Sequence, residues 1–248
     1  ANGHLIVIEG EEGGGKTKLS QAFATYVRDL GAAAACGVCY AGEDALAFAP
    51  IEQLLRQLLE DSGVRSRLPG IEPAWRQALR RLLPELPPDP AYPIPQDAPG
   101  SQSYFLEGLT RSIAGLLHSA QPGLLLLDDL HFADGATLDL LAYMVRRLQT
   151  VPLLIIATWC TSNVPLNHRL RQMAAEAARR QAATLLTLPP LDEGAIGDLL
   201  AAGAAGELPA GTDYRGLAQR LHTETRGLPL FVVEYLNLLR SGTLAPLA

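Results

Sequence analysis

The feature that most constrains the fold is a glycine-rich segment near the start of the 248-residue chain, Gly-Glu-Glu-Gly-Gly-Gly-Lys-Thr at residues 10–17. The apolar run Leu5–Ile8 precedes it, and apolar residues recur at helical spacing from Leu19 to Leu30 after it. The segment matches the pattern G-x-x-x-x-G-K-[ST], whose glycines let backbone N–H groups approach phosphate oxygens closely. A strand, this loop and a helix in succession predict a phosphate-binding loop.

The chemistry of phosphate binding explains the spacing within the segment. The start of the following helix adds partial positive charge to the inward-facing N–H groups. Lys16 supplies a mobile charge for the β- and γ-phosphates and is a predicted catalytic residue, while the Thr17 hydroxyl group is a predicted Mg²⁺ ligand. The expected ligand is ATP or ADP with Mg²⁺. The predicted nucleotide contacts in this part of the chain are Gly10, Gly13, Gly14, Gly15, Lys16, Thr17 and Lys18.

Two adjacent acids follow a second apolar run and predict the other half of the site. Leu124–Leu127 leads directly into Asp128 and Asp129. In open α/β sheets ligands bind outside the carboxyl ends of the strands, so these acids are placed to meet a nucleotide. We predict that Asp128 is the Mg²⁺-side carboxylate and that Asp129 orients or deprotonates the attacking water. His131 either polarises this site or is structural, and a lone histidine beside a turn favours the structural role.

Apolar runs alternate with helical patterns over most of the chain, which predicts an α/β fold with a parallel sheet covered by helices on both faces. The runs interpreted as strands are Leu5–Ile8, Ala33–Tyr40, Leu124–Leu127, Val151–Ala157 and Ala183–Leu188. After Pro189-Pro190 the pattern changes to three helices with no strand between them, at Ile196–Ala202, Tyr214–Thr225 and Leu230–Arg240. We therefore expect a nucleotide-binding domain over residues 1–189 and a helical subdomain over residues 190–248.

Composition narrows the function classes. Twenty basic and 26 acidic residues give a formal net charge of −6, which argues against direct nucleic-acid binding. Three cysteines do not make a disulfide framework, and a reducing, cytoplasmic location is expected. Cys36 and Cys39 form a C-x-x-C pair. We interpret it as two small residues in a buried strand rather than a redox or metal site, because no second pair lies at zinc-ligand spacing. No apolar run approaches the ~20 residues of a membrane span.

The combined motifs resemble the ATPase domain of STAND-class AAA+ proteins, with the large ATP-binding LuxR-type regulators and related bacterial multidomain signalling proteins as the most similar group. The resemblance rests on Gly10–Thr17, Leu124–Asp134, Pro152–Thr158, Leu188–Leu191 and Gly227–Phe231. It implies a five-stranded parallel sheet in the order 5-1-4-3-2, followed by a small helical lid. It also implies that Thr158 lies beside the γ-phosphate and that Pro229 packs near the nucleotide. Proteins of this group resemble switches driven by ADP and ATP.

The sequence departs from the family pattern in three places. Trp159 and Cys160 follow Thr158 where family members commonly have an arginine, so slow or absent hydrolysis is an open alternative. Leu228 replaces the usual asparagine of the lid motif. Only residues 1–9 precede the glycine-rich segment, so either the chain is excised from a longer protein or its base pocket is incomplete. Either a solvated helix face or an arginine acting across a subunit boundary explains Arg169, Arg171, Arg179 and Arg180.

The leading functional interpretation is an ATP-binding, weakly hydrolysing switch domain of a bacterial multidomain signalling or transcriptional regulator. The main alternative is a hydrolysis-deficient nucleotide-binding scaffold that acts through protein contacts. A small-molecule phosphotransferase is a third reading, disfavoured because no acceptor-binding arginine cluster is evident. The expected partners are the nucleotide and other domains of a longer chain, with self-association as a further option and no membrane or direct nucleic-acid contact.

Overall fold

The computed structural model describes residues 3–43, 45–87, 101–119, 121–147, 151, 153–203 and 213–240. The chain divides into two compact units. The first comprises Ala1–Glu9 and Thr17–Leu186, and the second comprises Gly10–Lys16 and Thr187–Ala248. The predicted boundary at Pro189-Pro190 stays a prediction, and the two units differ from it in grouping Gly10–Lys16 with the C-terminal helices.

A five-stranded parallel sheet organises the first unit. Its strands lie in the order β2-β3-β4-β1-β5, which is the predicted order 5-1-4-3-2 counted from the other end. The predicted fold class, a P-loop α/β domain with this sheet, is therefore confirmed. The strand bounds are β1 His4–Gly10, β2 Ala34–Val38, β3 Gly123–Asp128, β4 Leu153–Cys160 and β5 Ala183–Thr187.

Strand β3 is buried along its whole length, as expected for an inner strand of a parallel sheet. It pairs in parallel with β2 on one side and β4 on the other, with Leu125 opposite Ala35 and Ile155. This register brings the carboxyl ends of β3 and β4 to one edge of the sheet. Asp128 is the last residue of β3, and Thr158 is two residues before the last residue of β4, so both lie at that edge.

Six of the α-helices described in the first unit coincide with segments of helical apolar spacing, whereas the short α3 is a helix that the sequence did not predict. Asp134 is the N-cap of α6, because its carboxylate accepts the Thr137 N–H at 2.9 Å. Gly31 adopts a left-handed φ of 83° just beyond α1, as expected for a glycine that ends a helix. The helices are α1 Lys16–Asp29, α2 Ala49–Glu60, α3 Ser62–Arg65, α4 Pro73–Leu82, α5 Ser101–Leu117, α6 Gly135–Val145 and α7 Arg169–Arg179.

Helix α2 covers the outer edge of β2 with two glutamine side chains. The amide oxygen of Gln57 accepts the N–H of Cys36 at 2.8 Å, and that of Gln53 accepts the N–H of Val38 at 3.0 Å. The helix approaches so closely that a Cβ atom at Gly37 would lie 2.4 Å from the carbonyl oxygen of Pro50. The two N–H groups of this edge strand are therefore paired by side chains rather than by another strand.

The three predicted C-terminal helices are present in the second unit as α8 Glu193–Gly203, α9 Tyr214–Thr225 and α10 Pro229–Arg240. They enclose a small apolar core of their own, formed by Ile196, Leu200, Ala218, Leu221, Val232 and Leu236. Whether this helical group acts as a lid stays a prediction. No described helix combines the length and apolar character that crossing a bilayer requires.

Candidate functional site

The glycine-rich segment forms the connection between β1 and α1. Gly13 and Gly15 have φ values of 74° and 88°, in the region that glycine adopts without strain. Lys16 is 7% exposed, and its ammonium group donates to the carbonyl oxygens of Gly10 at 3.2 Å and Glu11 at 2.8 Å. A buried cation held over a loop of this shape is the arrangement that binds phosphate oxygens.

The other residues of the segment differ in exposure. Thr17 is half-buried at the start of α1, and Lys18 is exposed one residue later. Glu11 and Glu12 are both exposed to solvent. The segment therefore keeps its one buried charge, on Lys16, and directs its two acidic side chains outward.

The start of α10 packs directly on this loop. The N–H of Leu230 donates to the Gly13 carbonyl oxygen at 3.1 Å, and a Cβ atom at Gly13 would lie 2.8 Å from the Leu230 Cβ. Pro229 is also close, since its Cγ lies 3.9 Å from the position of a Cβ at Gly15. The structure thus brings the sequence-predicted Pro229 against the loop, and Leu230 is a contact that the sequence did not predict.

Asp128, Asp129 and Thr158 are joined at the carboxyl edge of the sheet. The Thr158 hydroxyl group donates to the Asp128 carboxylate at 2.5 Å and accepts the backbone N–H of Asp129 at 2.9 Å. Asp128 and Thr158 are buried, whereas the Asp129 side chain is 35% exposed. A fixed, buried acid beside a more accessible one fits a metal-side carboxylate next to a group that meets water.

His131 lies beside these acids but is held by the protein. Its Nδ1 accepts the backbone N–H of Cys160 at 3.4 Å and is 3.9 Å from the Asp129 carboxylate, and its ring contacts Phe132 with centroids 4.0 Å apart. The side chain is nearly buried. These contacts support the structural interpretation of His131.

A buried acid at the end of β1 forms a second polar cluster at the same sheet edge. The Glu9 carboxylate accepts the Trp159 indole N–H at 3.1 Å and pairs with the Arg171 guanidinium at 2.9 Å. Arg171 also donates to the Val164 carbonyl oxygen at 2.7 Å. Arg171 is therefore engaged inside its own unit, and whether any of the four arginines acts across a subunit boundary stays an open prediction.

Sequence reasoning missed this cluster, although a signal was present. Glu9 is an acid at the tip of a buried apolar strand, directly before the glycine-rich segment. A carboxylate in that position needs a buried partner, and only the fold shows that Trp159 and Arg171 provide it.

Neither member of the C-x-x-C pair is set up for thiolate chemistry. Burial, together with the nearby carboxylates of Asp134, Asp129, Asp128 and Glu43, raises the pKa of Cys39 to about 12. Burial, followed by the charge of Asp128, also raises the pKa of Cys36. All three cysteines are free thiols. These facts agree with the interpretation that Cys36 and Cys39 are structural.

The donor set fits Mg²⁺ bound together with a nucleotide rather than alone. Among the described residues, no group of three or more His, Cys, Asp or Glu side chains could hold a metal ion. Mg²⁺ in nucleotide sites takes one or two protein oxygens and completes its shell with phosphate oxygens and water. The Thr17 hydroxyl group and the Asp128 carboxylate supply oxygen donors of that kind.

The sheet order and the glycine-rich loop after β1 define the class of P-loop nucleotide-binding α/β domains. Within that class, residues 1–156 match the family model of the AAA ATPase domain. The chain belongs to the AAA ATPase domain family, and this membership supports nucleotide binding. The matched range includes the loop, Asp128 and Asp129, and it ends before Thr158 and Pro229.

Solved structures show weaker similarity. A STAND protein with a tetratricopeptide repeat sensor from Pyrococcus horikoshii is 16% identical with a TM-score of 0.48, and the match covers 94% of this chain and 27% of that chain. The Aeropyrum pernix ORC1 protein in complex with DNA is 14% identical with a TM-score of 0.49, over 96% of this chain and 54% of that one. This chain therefore spans about a quarter to a half of the length of these proteins. No curated protein matches it significantly.

Proposed function

We propose that this chain is the ATP-binding, slowly hydrolysing switch domain of a larger bacterial signalling or regulatory protein. The observation that carries the proposal is the phosphate-type loop of residues 10–17, with the buried Lys16 ammonium held inside it. Membership of the AAA ATPase domain family supports the same ligand class.

The proposed roles follow from the chemistry of each side chain. Lys16 neutralises charge on the β- and γ-phosphates, the loop glycines with Thr17 and Lys18 line the phosphate chain, and Thr17 with Asp128 holds the metal ion. Mg²⁺ supplies positive charge that stabilises the phosphate oxygens when it is bound. Asp129 accepts a proton from the water that attacks the γ-phosphorus. The bond to the β–γ bridging oxygen then breaks, and ADP and phosphate are released.

Thr158 influences the proposed metal site through its hydrogen bond to Asp128. Its hydroxyl proton is directed at Asp128, which fixes the buried carboxylate in one orientation. We propose that Thr158 reports the state of the γ-phosphate through this hydrogen bond.

The switch has a physical basis in the contact between the loop and α10. The Leu230 N–H is bonded to the Gly13 carbonyl oxygen, and Pro229 lies against Gly15. A change in the loop on exchange of ADP for ATP would alter this hydrogen bond and so bias the position of α10. The helical lid over residues 190–248, with Pro229 near the nucleotide, is part of this proposal.

Replacing Lys16 tests the binding step. In Lys16→Ala we expect Mg-ATP affinity, measured by isothermal titration calorimetry, to fall by at least about 100-fold, because a charge-assisted contact to phosphate contributes about 3 kcal/mol. The matched control is Arg65→Ala, which removes an exposed cation at the end of α3 and should leave affinity unchanged. Full Mg-ATP affinity in Lys16→Ala would sink the proposal.

One observation favours a scaffold that binds but does not hydrolyse ATP. Trp159 and Cys160 are buried where the family usually has an arginine, and Arg171 is paired with Glu9. Single-turnover phosphate release separates the two functions. Release that is abolished in Asp129→Asn supports the slow ATPase, whereas tight ATP binding with no release above buffer supports the scaffold.

The domains that flank this chain in the full-length gene product would identify the larger protein. The sequence resemblance to large regulators leads us to propose further domains and contacts between them, with self-association a further option, in a cytoplasmic protein. A helix-turn-helix in the full-length gene product would indicate transcriptional control. A cyclase or kinase domain would instead place the switch upstream of an enzymatic output.

A further inference from the structure

A second cavity lies in the first unit, at the opposite edge of the sheet from Asp128 and Thr158. It has a volume of about 930 Å³ and is lined by α4, α5 and the segments next to the amino ends of β3 and β4. His118 precedes β3 and Val151 precedes β4, which places the cavity at the amino edge of the sheet. The volume is within the range of small-molecule sites, about 300–1,000 Å³.

Cationic side chains outnumber acidic ones around this cavity. Arg67, Arg111 and Arg147 line it, against the carboxylates of Glu72 and Glu107. Arg67 is anchored, since it donates to the Leu116 carbonyl oxygen at 2.7 Å. The cavity therefore carries an excess of positive charge in a chain whose net charge is −6.

Glu107 holds two of the guanidinium groups in fixed positions. Its carboxylate accepts Arg111 Nε at 2.6 Å, Arg147 Nε at 3.2 Å and the Tyr143 hydroxyl group at 2.7 Å. Each arginine also lies near an aromatic ring, Arg147 at 3.6 Å from the Tyr143 centroid. Guanidinium groups ordered in this way lose little further entropy when they bind an anion.

An aromatic wall completes the cavity. The indole ring of Trp75 lines it and lies 5.7 Å from the Arg111 guanidinium, and on another side it contacts Tyr104 with centroids 5.1 Å apart. Gly115 and Ala114 of α5 also line the cavity, and their small side chains leave space in it. A ring can stack on such a wall while its acid group meets the arginines.

We infer that this cavity binds a small organic anion made of an aromatic ring with a carboxylate. The excess of positive charge favours a ligand with a carboxylate, the indole ring of Trp75 favours a ligand with an aromatic ring, and the cavity volume limits the size of the ligand. The inference is independent of the nucleotide proposal, because no residue of the cavity belongs to the phosphate loop or to the acids at the carboxyl edge.

Helix α6 links the cavity to the carboxyl edge of the sheet. Its N-cap, Asp134, follows the acids at the carboxyl edge, and Arg147 lies just beyond its last residue, Val145. The 11-residue helix is about 16 Å long. A ligand that contacts Arg147 would therefore act on the end of a helix whose N-cap, Asp134, follows Asp129 closely in the chain, as an effector does.

The two tryptophans of the chain make a direct test possible. In a nitrogen-15 NMR spectrum of the full chain we expect one indole signal from Trp75 and one from Trp159, which is buried at the other sheet edge. We expect benzoate and phenylacetate to shift the Trp75 signal saturably, with Kd below about 1 mM, while Trp159 stays in place. Acetate, which lacks the ring, and benzyl alcohol, which lacks the charge, should bind at least tenfold more weakly.

Variants of the cavity complete the experiment. Arg111→Met should weaken benzoate at least tenfold, and it should fold because the side chain is 60% exposed. Arg180→Met is the matched control, since Arg180 is an exposed arginine at the C-terminal cap of α7, paired with Glu176, and this variant should bind as the wild type does. The inference is overturned if neither aromatic acid binds, if Arg111→Met binds normally, if benzyl alcohol binds as well as benzoate, or if only the Trp159 signal moves.

Discussion

Thr158 serves two partners with one hydroxyl group at the carboxyl edge of the sheet. The group donates to Asp128 and accepts from the N–H of Asp129, and the side chain is fully buried. Valine has nearly the same shape without the hydroxyl group, so Thr158→Val leaves a buried carboxylate and an amide each short of one partner. We expect the free energy of unfolding to fall by about 1–3 kcal/mol in urea denaturation.

Serine at the same position provides the control for Thr158→Val. Thr158→Ser keeps the hydroxyl group and removes one buried methyl group, which costs about 1 kcal/mol. It should therefore retain Mg-ATP binding better than Thr158→Val. Equal stability and equal affinity in the two variants would show that the hydroxyl group does not hold Asp128.

Residue-scale prediction from sequence succeeded where function and local pattern coincide. Asp128 directly follows an apolar run, so its position at the end of a strand could be predicted from the residues next to it in the sequence. Glu9 has the same kind of position, but its partner Trp159 is 150 residues away along the chain. No local pattern encodes such a pairing, and the arginine that completes it looked like part of a solvated helix face.

Gly227 joins α9 to α10 in a left-handed conformation that favours glycine. Its φ is 71°, and a Cβ atom would lie 2.1 Å from the Leu191 carbonyl oxygen, while its own carbonyl oxygen accepts the Leu191 N–H at 2.8 Å. We expect Gly227→Ala to destabilise the C-terminal helices by at least about 1–3 kcal/mol, because strain and a backbone clash add. Hydrogen exchange of residues 193–240 measures the loss of protection.

Gly31→Ala separates the two contributions at Gly227. Gly31 has a similar φ of 83°, but nothing lies within 4 Å of an added Cβ. It should therefore show only the cost of the left-handed backbone, about 1 kcal/mol, in the stability of the first unit. If Gly227→Ala costs no more than Gly31→Ala, the contact with Leu191 is not restrictive.

Helices α5 and α6 are cross-linked through Glu107 in a way that acid should release. Burial alone would raise the pKa of Glu107, but hydrogen bonds from Tyr143 and Arg111 and the charges of Arg111 and Arg147 hold the pKa below its usual value. The unfolded state then takes up the proton more readily, so this stabilisation is present above about pH 4.5 and is lost as pH falls through the lowered pKa.

A pH series of Glu107→Gln tests this cross-link. Its Tm should lie below that of the wild type at pH 6–7, and the difference should shrink as pH falls below about 4. Glu176→Gln, which removes an exposed acid paired with Arg180, provides the control. A difference that stays constant from pH 7 to pH 3 would contradict the role of the charge.

Element-scale prediction worked where amphipathic periods are long and failed where a turn is short. Helix α9, Tyr214–Thr225, has the predicted bounds, since twelve residues give more than three full repeats of the pattern. Helix α3, Ser62–Arg65, is one turn capped by the Asp61 side chain, and four residues carry no detectable period. Leu230 was expected in a helix, yet its contact with Gly13 depends on where that helix packs.

At the scale of the whole molecule, the charge balance predicts what the chain does not bind. A net charge of −6 argues against broad electrostatic attraction of the chain to duplex DNA. We expect no change in the fluorescence anisotropy of a labelled duplex with up to about 50 μM protein at about 0.15 M salt. The same measurement at about 0.05 M salt is the control for weak binding, and saturable binding in either condition would contradict the prediction.

Gln53 and Gln57 on α2 have a consequence for how this protein aggregates. Gln53 and Gln57 occupy the N–H groups of β2 only while α2 is docked, so every local opening of that helix exposes the rim of the sheet as a template for another strand. Aggregation should then be limited by the rate at which one helix lifts away, and not by global unfolding. Solubility on storage would depend on two amide side chains that lie far from any nucleotide chemistry in the sequence.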